Sequence, residues 1–333
     1  MKVFTLPTNG ITVLSFLVNQ ITVGICAYNE EKNIANLLNN VLTAQELPSD
    51  SEVLVVCSGC TDATAEIVQA YMAQDPRVKL HVEKQRRGKS SAINYILANA
   101  EGSVILFVSA DTLPVNGSFR RLIEWLENPR IGIVCGNPLP INPPTSVVAQ
   151  LVQLLWRFHG HVFGELNDSG LARHATEMFC IRKGIINHIP TQTVNDDAYI
   201  AVTAKEKGWL IKFDSQSKVL ICGPVTFKEY FAQRRRILFG HYQIRKLTGR
   251  SPQHLMHMLP LYPLKTIKLL LWLLTKNKPV TTAIFLFTEL WVNLFSIADF
   301  IWGKTYFQWP ALSSTKNAVT PLKNQALSTE VQL

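Results

Sequence analysis

Apolar positions between residues 21 and 136 alternate between two spacings. ITVGICA (21–27), EVLVVC (52–57), VKLHV (78–82) and VILFVS, which is soon followed by Asp111, are short apolar runs typical of buried strands. Between the first two runs, Ile34, Leu37, Leu38 and Val41 recur at helical spacing, and residues 90–100 predict another helix. Such alternation predicts an α/β fold, with a mostly parallel central sheet flanked by helices. Asn29 and Thr61 are predicted to cap the first two helices.

The rhythm changes after IGIVCG (131–136). Residues 146–163 predict a helix, EMFCIR (177–182) a strand, and NDDAYIAVTAKEKG, from residue 195, another helix. WLIKF and KVLIC, which follow from residue 209, are close enough to predict a hairpin.

These patterns divide the chain into four parts. Residues 1–20 form an N-terminal extension, in which ITVLSFLV (11–18) is too short to span a bilayer and is expected to be an extra strand or packed segment. The α/β domain covers 21–245, a basic and apolar helical region 246–310, and a polar tail 311–333.

Charge is concentrated in one segment of a chain that is 47% apolar, with 17% charged residues against a usual share of about 25%. Residues 228–278 hold eleven Lys or Arg and one acid, Glu229. No interleaved set of aromatic residues for base stacking accompanies this block. We therefore expect anionic lipid and substrate phosphates as partners, and no nucleic acid.

Six cysteines are too few for a disulfide scaffold in 333 residues, which indicates a reducing compartment. CSGC (57–60) has the spacing of a redox motif but lacks the Trp and Pro neighbours of a thioredoxin-like site, so redox chemistry is a minor alternative.

Six stretches in order resemble the motifs of family 2 glycosyltransferases of the GT-A fold. They are ITVGICAYNEEKNI (21–34), VVCSGCTDATAEIV (55–68), RRGKSSAIN (86–94), FVSADTLP (107–114), NDDAYI (195–200) and QRRRI (233–237). The resemblance covers roughly residues 20–245. It implies an inverting, hexosyltransferase-type enzyme that uses a nucleotide-diphosphate sugar.

The resemblance also assigns roles. Asp111 would hold a divalent cation, Mg²⁺ or Mn²⁺, which takes oxygen ligands and neutralises a departing diphosphate. Asp197 would be the base that removes the acceptor's proton. The donor-binding residues would be Ala27, Tyr28, Asn29, Glu30, Ser58, Gly88, Lys89, Ser109, Ala110, Asp111, Gln233 and Arg236.

Plainer interpretations stand beside these roles. Asn195, Asp196 and Asp197 are also what a helix cap requires, and Lys89 is compatible with a lysine facing water. Arg234 and Arg235 are expected to point away from Gln233 and Arg236, towards lipid headgroups or solvent.

Departures from the family pattern matter as much. Cys57 and Ser58 replace acids, which leaves the identity of the nucleobase open. FVSADTLP corresponds to the family's DxD motif, and Ser109 replaces the first Asp of that motif. Ile237 replaces a Trp that marks chain-extending polymerases. Glu177 stands where a small residue is common near the acceptor.

Two apolar segments near the C-terminus indicate membrane association. Residues 264–276 place lysines beside LLLWLL, as in a helix lying in the headgroup layer. Residues 280–302 are long enough to span, yet Glu289, Asn293, Ser296 and Asp299 form a polar stripe. A membrane-embedded helix with its stripe on protein, a surface helix, and burial in a soluble dimer are all compatible with this pattern.

The combined expectation is an enzyme of cell-envelope polysaccharide synthesis at the cytoplasmic face of the membrane. It would transfer a sugar to a hydroxyl of a lipid-linked or glycan acceptor. A processive polysaccharide synthase and a catalytically impaired binding or scaffold subunit are the alternatives.

Overall fold

The computed structural model describes residues 20–167, 170–252, 258–259, 261–308, 313–316 and 319. Its strands form one eight-stranded sheet in the order β3-β2-β1-β4-β7-β6-β8-β5. Strands β1 to β4 are all parallel to their neighbours within this group, β6 is parallel to β8, and β7 and β5 run antiparallel to their neighbours. The strands are β1 (Ile21–Ala27), β2 (Glu52–Ser58), β3 (Val78–Glu83), β4 (Val104–Ser109), β5 (Thr112–Pro114), β6 (Ile131–Pro140), β7 (Met178–Arg182) and β8 (Leu210–Ile221). The predicted α/β class is confirmed.

Helices cover both faces of the sheet. Alternate residues of β2 divide between two hydrophobic clusters, with Val53 and Val55 in one and Leu54 and Val56 in the other. Burial on both faces explains why the strands are continuously apolar. The helices are α1 (Ile34–Ala44), α2 (Thr64–Gln74), α3 (Lys89–Asn99), α4 (Ser118–Glu124), α5 (Val147–Asn167), α6 (Asp196–Glu206), α7 (Phe227–Thr248), α8 (Pro263–Thr275) and α9 (Pro279–Ile301).

The structure corrects three local predictions. WLIKF and KVLIC form one strand, β8, which pairs with β6 on both sides of a register shift, rather than a hairpin. Asn29 and Thr61 do not cap helices, because α1 and α2 begin after Asn33 and Ala63. Asn29, at φ 54°, instead exchanges hydrogen bonds with Thr61: its Nδ2 donates to Thr61 Oγ1 at 3.0 Å, and the Thr61 amide donates to its Oδ1 at 2.8 Å.

The polar stripe of α9 faces α7. Arg234 donates to Glu289 at 2.9 and 2.7 Å, and Arg235 forms an ion pair with Asp299, whose side chain is fully buried. The Tyr242 hydroxyl donates to Asn293 at 2.5 Å. Arg234 and Arg235 therefore hold the C-terminal helix, and the expectation that they point to headgroups or solvent is wrong.

Large apolar side chains remain on the outer surfaces of α8 and α9. They are Leu264, Ile267, Leu271, Leu274, Val280, Phe287, Trp291, Leu294, Phe295 and Ile301. Among the described residues, α9 is the one helix with the length and composition to cross a bilayer. The segment ITVLSFLV and most of the predicted tail, 311–333, lie outside the described residues. All six cysteines are free thiols.

Candidate active site

The carboxyl ends of three parallel strands open into one cavity of about 610 Å³. Tyr28 follows β1, Ser58 ends β2, and Asp111 follows β4. Adjacent parallel strands bring their carboxyl ends to the same edge of a sheet, where ligands bind in open α/β folds. Motif residues that are far apart in the sequence therefore lie close together at this edge of the sheet.

The opposite walls come from three helices. Gly88 and Lys89 stand at the start of α3, Asp197 in the first turn of α6, and Gln233 and Arg236 on α7. All of the predicted site residues except Asn29 line this cavity. Asn29 ties the β1–α1 loop to the β2–α2 loop instead, which shapes the wall without forming it.

Asp111 lies in a crowded acidic environment. Burial and the charges of Glu30 and Glu177 together raise its pKa to about 7, against the opposing charges of Lys316 and Lys89. A divalent cation would remove this repulsion, since oxygen donors are what Mg²⁺ and Mn²⁺ prefer. Within the described part of the chain, no three His, Cys, Asp or Glu side chains are arranged to hold a metal by themselves. The donor set fits a cation held by one or two carboxylates, with the rest of its shell from diphosphate oxygens and water.

The NDD residues of α6 have three separate roles. Asn195 makes no side-chain capping bond and donates instead to the carbonyl oxygen of Ile237 at 2.8 Å. Asp196 forms a 3.1 Å ion pair with Lys89. Asp197 lines the cavity, and its Oδ1 also accepts a 2.7 Å hydrogen bond from the Ala198 amide in the first turn of α6. A local bond to the helix start and a position in the cavity are thus combined in one carboxylate.

The surroundings of Asp197 suit a proton acceptor. Burial raises the pKa of its carboxyl, Asp196 adds to the increase, and His174, at 3.8 Å, opposes it. A base whose pKa lies above that of an ordinary aspartate binds a proton more strongly. A carboxylate with these properties can take a proton from a hydroxyl.

Positive charge also lines the cavity. Burial alone would lower the pKa of Lys89, but Asp196, Glu177 and Asp197 hold it above its usual value. Burial lowers the pKa of Arg236, which the same three acids oppose. A lysine and an arginine near a buried carboxylate are suited to a diphosphate.

Sequence reasoning missed two cations of the site. The guanidinium of Arg86 stacks on the Tyr28 ring, 3.9 Å from its centroid. The ammonium of Lys316 pairs with Glu30 and donates to the carbonyl oxygens of Tyr28 and Asn29, the latter at 2.8 Å. Arg86 is the first residue of the RRGKSS stretch, whereas nothing in the sequence relates Lys316 to a loop 286 residues earlier.

The cavity continues from the polar site into an apolar arm. The arm lies between α5, α8 and α9, and its walls come from Leu155, Phe158, Val162, Leu273, Phe285, Leu286 and Leu290. His159, His174 and His241 also line the cavity, with ring centroids 5.7 Å apart along the series. One continuous space thus joins charged groups to a hydrocarbon-like surface.

Comparisons with known proteins agree with this geometry. The chain is 23% identical over 231 residues to a poly-beta-1,6-N-acetyl-D-glucosamine synthase of Staphylococcus aureus, covering 67% of this chain and 55% of that one. It is 24% identical over 237 residues to a probable glycosyltransferase, YdaM, of Bacillus subtilis, covering 68% and 56%. The chain thus spans about half the length of these curated relatives.

A solved structure and a family profile extend the comparison. The mannosyltransferase PcManGT of Pyrobaculum calidifontis, in complex with GDP-Man and Mn²⁺, superposes with a TM-score of 0.60 at 19% identity, covering 85% of this chain and 87% of that one. The likeness shows the fold. The sequence profile of Glycosyl transferase family 2 matches residues 22–188, half of the chain, and the protein therefore belongs to that family of glycosyltransferases.

Proposed function

We propose that this protein transfers a sugar from a nucleotide-diphosphate donor to a hydroxyl of a lipid-linked acceptor, with inversion at the anomeric carbon. The observation that carries the proposal is a single cavity that contains Asp111 and Asp197 and extends into an apolar arm. A metal position, a base and a hydrophobic channel are the three parts that such a transfer requires.

The donor side is built around Asp111. A bound Mg²⁺ or Mn²⁺ would neutralise the charge that grows on the departing diphosphate. Asp111 would hold that cation, while Lys89 and Arg236 supply further positive charge to the diphosphate. Tyr28, which follows β1, and Ser58, which ends β2, would lie against the nucleoside. The GDP-Man and Mn²⁺ bound by the Pyrobaculum calidifontis mannosyltransferase are consistent with this division.

The acceptor side is built around Asp197. Its carboxylate would accept the proton of the acceptor hydroxyl as that oxygen bonds to the anomeric carbon and the diphosphate leaves. One displacement by one nucleophile inverts the configuration. A positioned base of this type contributes about 10²- to 10⁴-fold in rate.

The apolar arm favours a lipid over a free glycan as the acceptor. Phe158, Phe285 and Leu273 line it and belong to the hydrophobic cluster that joins α5 to α8 and α9. Hydrocarbon chains are stabilised in such a channel by about 0.8 kcal/mol for each buried methylene group. We propose further that α8 and α9 associate with the cytoplasmic face of a membrane, since their outer surfaces are apolar.

The test begins with the donor. Thermal shifts with UDP, GDP, CDP and dTDP sugars in Mn²⁺ would identify the nucleotide, because a ligand at 100 times its dissociation constant adds about 2.7 kcal/mol. Transfer of that labelled sugar to a lipid extract then compares wild type, Asp197→Asn and the control Asp50→Asn, an exposed loop residue. We expect Asp197→Asn to keep donor binding and to lose at least about 100-fold in transfer, whereas the control keeps both. Wild-type transfer by Asp197→Asn would exclude Asp197 as the base.

A processive synthase is the second candidate, because a curated relative carries the name of a polysaccharide synthase. Ile237 in place of the motif Trp argues for a single transfer. Chromatography of the product decides between them: one added sugar for each acceptor supports the first proposal, and a ladder supports the second. A scaffold subunit would show no Mn²⁺-dependent stabilisation by any of the nucleotides.

A further inference from the structure

The residue that replaces the first motif aspartate touches another acid. Ser109 ends β4, two positions before Asp111, and its hydroxyl donates a 2.9 Å hydrogen bond to Glu177 Oε2. The Ser109 amide also donates to the Glu177 carbonyl oxygen at 3.1 Å, at the end of the antiparallel β4–β7 pair. The backbone bond thus places the two residues side by side, and the hydrogen bond from the Ser109 hydroxyl orients the Glu177 carboxylate.

Glu177 belongs to the same cavity as the charged groups of the site. Its carboxylate acts electrostatically on Asp111, Lys89, Arg236 and Asp197. A carboxylate has about four acceptor positions, and the bond from Ser109 uses one of them. Compared with the family pattern, the surroundings of Asp111 thus lack a carboxylate at position 109 and gain one at position 177.

We propose that Glu177 supplies the second protein carboxylate for the divalent cation at Asp111, and that Ser109 orients it. The acid missing from the first position of the motif is provided by the neighbouring strand. This inference rests on the proposed metal-dependent use of a nucleotide diphosphate. It also explains why a large acidic side chain stands where the family commonly has a small residue.

Two other roles for Glu177 make different predictions. A carboxylate that only neutralises Arg236 and Lys89 would affect diphosphate affinity with or without metal. A carboxylate that binds the acceptor would affect the KM of the acceptor and leave Mn²⁺ affinity unchanged. Direct measurement of Mn²⁺ binding separates these roles from that of a metal ligand.

The experiment titrates the full-length protein with Mn²⁺ in the presence of GDP or UDP and follows free Mn²⁺ by electron paramagnetic resonance. We expect Glu177→Gln to weaken Mn²⁺ binding by about 100-fold and Ser109→Ala by about tenfold, since partners that orient a metal ligand typically contribute 10- to 100-fold. Glu127→Gln, an exposed acid away from the cavity, is the control and should bind as wild type does. Thermal unfolding in EDTA checks that each variant is folded.

The decisive variant returns the acid to the motif. Ser109→Asp combined with Glu177→Gln should restore Mn²⁺ affinity to within about threefold of wild type, because a carboxylate is again next to Asp111. Wild-type Mn²⁺ affinity in Glu177→Gln would overturn this inference, and so would a double variant that does not recover. In either case, loss of Mn²⁺ binding in Asp111→Asn would still support the proposed function. Absence of Mn²⁺ binding by the wild type with both nucleotides would overturn both. If Glu177→Gln does not fold, Glu177→Asp, which keeps the charge on a shorter side chain, should bind Mn²⁺ about tenfold more weakly.

Discussion

The side-chain amide of Asn195 donates a 2.8 Å hydrogen bond to the carbonyl oxygen of Ile237. This bond joins the residue before α6, which carries the proposed base, to the middle of α7, which carries Gln233 and Arg236. Gly240 lies against the same amide, and a Cβ atom added there would stand 2.6 Å from the Asn195 side chain. The contact of Asn195 with Ile237 and Gly240 thus fixes the position of α6 relative to α7, and these two helices form two walls of the cavity.

Gly240→Ala should therefore displace Asn195 and, with it, Asp197. A misplacement of about 1 Å can cost about 100-fold in rate, so we expect kcat to fall by roughly 10- to 100-fold while donor affinity stays within about threefold. Steady-state kinetics and nucleotide titration measure the two quantities. Gly164→Ala is the matched control, because a Cβ atom on this α5 glycine meets nothing within 4 Å. Equal losses in both variants would show that helix glycines matter for a general reason.

The raised pKa of Asp111 predicts a pH-dependent stability. Its pKa is about 7 in the folded protein against an ordinary value of 3.8, so the folded state holds the proton more tightly. Its stabilising contribution is complete below about pH 4 and is lost as pH rises through about 7. In metal-free buffer, Asp111→Asn should raise Tm relative to wild type by roughly 2 °C or more at pH 8.5, and by less at pH 5.5.

When Mn²⁺ and the nucleotide diphosphate are added, Asp111→Asn should have a lower Tm than wild type, since it lacks the proposed metal ligand. Differential scanning fluorimetry at the two pH values, with EDTA or Mn²⁺, provides the measurement. Asp50→Asn is the control for loss of an exposed acid. A Tm gain that is the same at both pH values would contradict the assignment of the raised pKa.

The buried ion pair between Arg235 and Asp299 predicts a large loss of stability when one partner is removed. Asp299 is fully buried and also pairs with Lys304 at 2.7 Å. Asp299→Asn leaves these cations without their counter-charge, and breaking a buried pair typically costs about 3–5 kcal/mol. Arg235→Met should cost less, because Lys304 still neutralises the acid.

Chemical unfolding of the detergent-solubilised protein would measure these differences. Arg250→Met, which removes the exposed 3.5 Å pair with Glu206, is the matched control and should change stability by no more than about 1 kcal/mol. Asp299→Asn within that same range would mean that the α7–α9 contact rests on apolar packing alone.

The exposed apolar surface of α9 predicts binding to lipid vesicles. Phe287 and Trp291 are 62% and 44% exposed, and burying a large apolar side chain contributes about 1.5–3 kcal/mol. Combined Phe287→Asp and Trp291→Asp should weaken binding to vesicles that contain anionic lipid by at least about tenfold in a flotation assay. Met72→Asp, which places an acid on an exposed apolar residue of α2, should float as wild type does.

The sequence predicts the layers of this fold because burial leaves a periodic signal. Strands covered on both faces are continuously apolar, and helices such as α1 repeat their apolar residues at the spacing of one face. The hairpin prediction failed because DSQS between the two apolar runs of β8 is typical of a turn. In the structure, Asp214 is buried and accepts a 2.6 Å bond from Ser217, so a local irregularity in the strand takes up the polar residues.

Contacts between distant segments account for most of what sequence reasoning missed in the site. The motif residues could be found because parallel strands and helix starts bring them together by rule. Lys316 enters the cavity through a tertiary contact that no periodicity encodes. Glu177 was noticed as a departure from the family pattern near the acceptor, but its hydrogen bond with Ser109 could not be read from the sequence. The Asn29 prediction failed for a related reason: a side chain suited to capping was used for a tertiary bond to Thr61.

Four successive residues of α7 contact both the cavity and α9: Gln233, Arg234 and Arg236 line the cavity, while Arg234 and Arg235 form ion pairs with acids of α9. One helical turn therefore fixes the distance between the cavity and α9. If α9 lies on the proposed membrane, the enzyme would select lipid-linked acceptors by the distance between their membrane-anchored tail and the hydroxyl that receives the sugar.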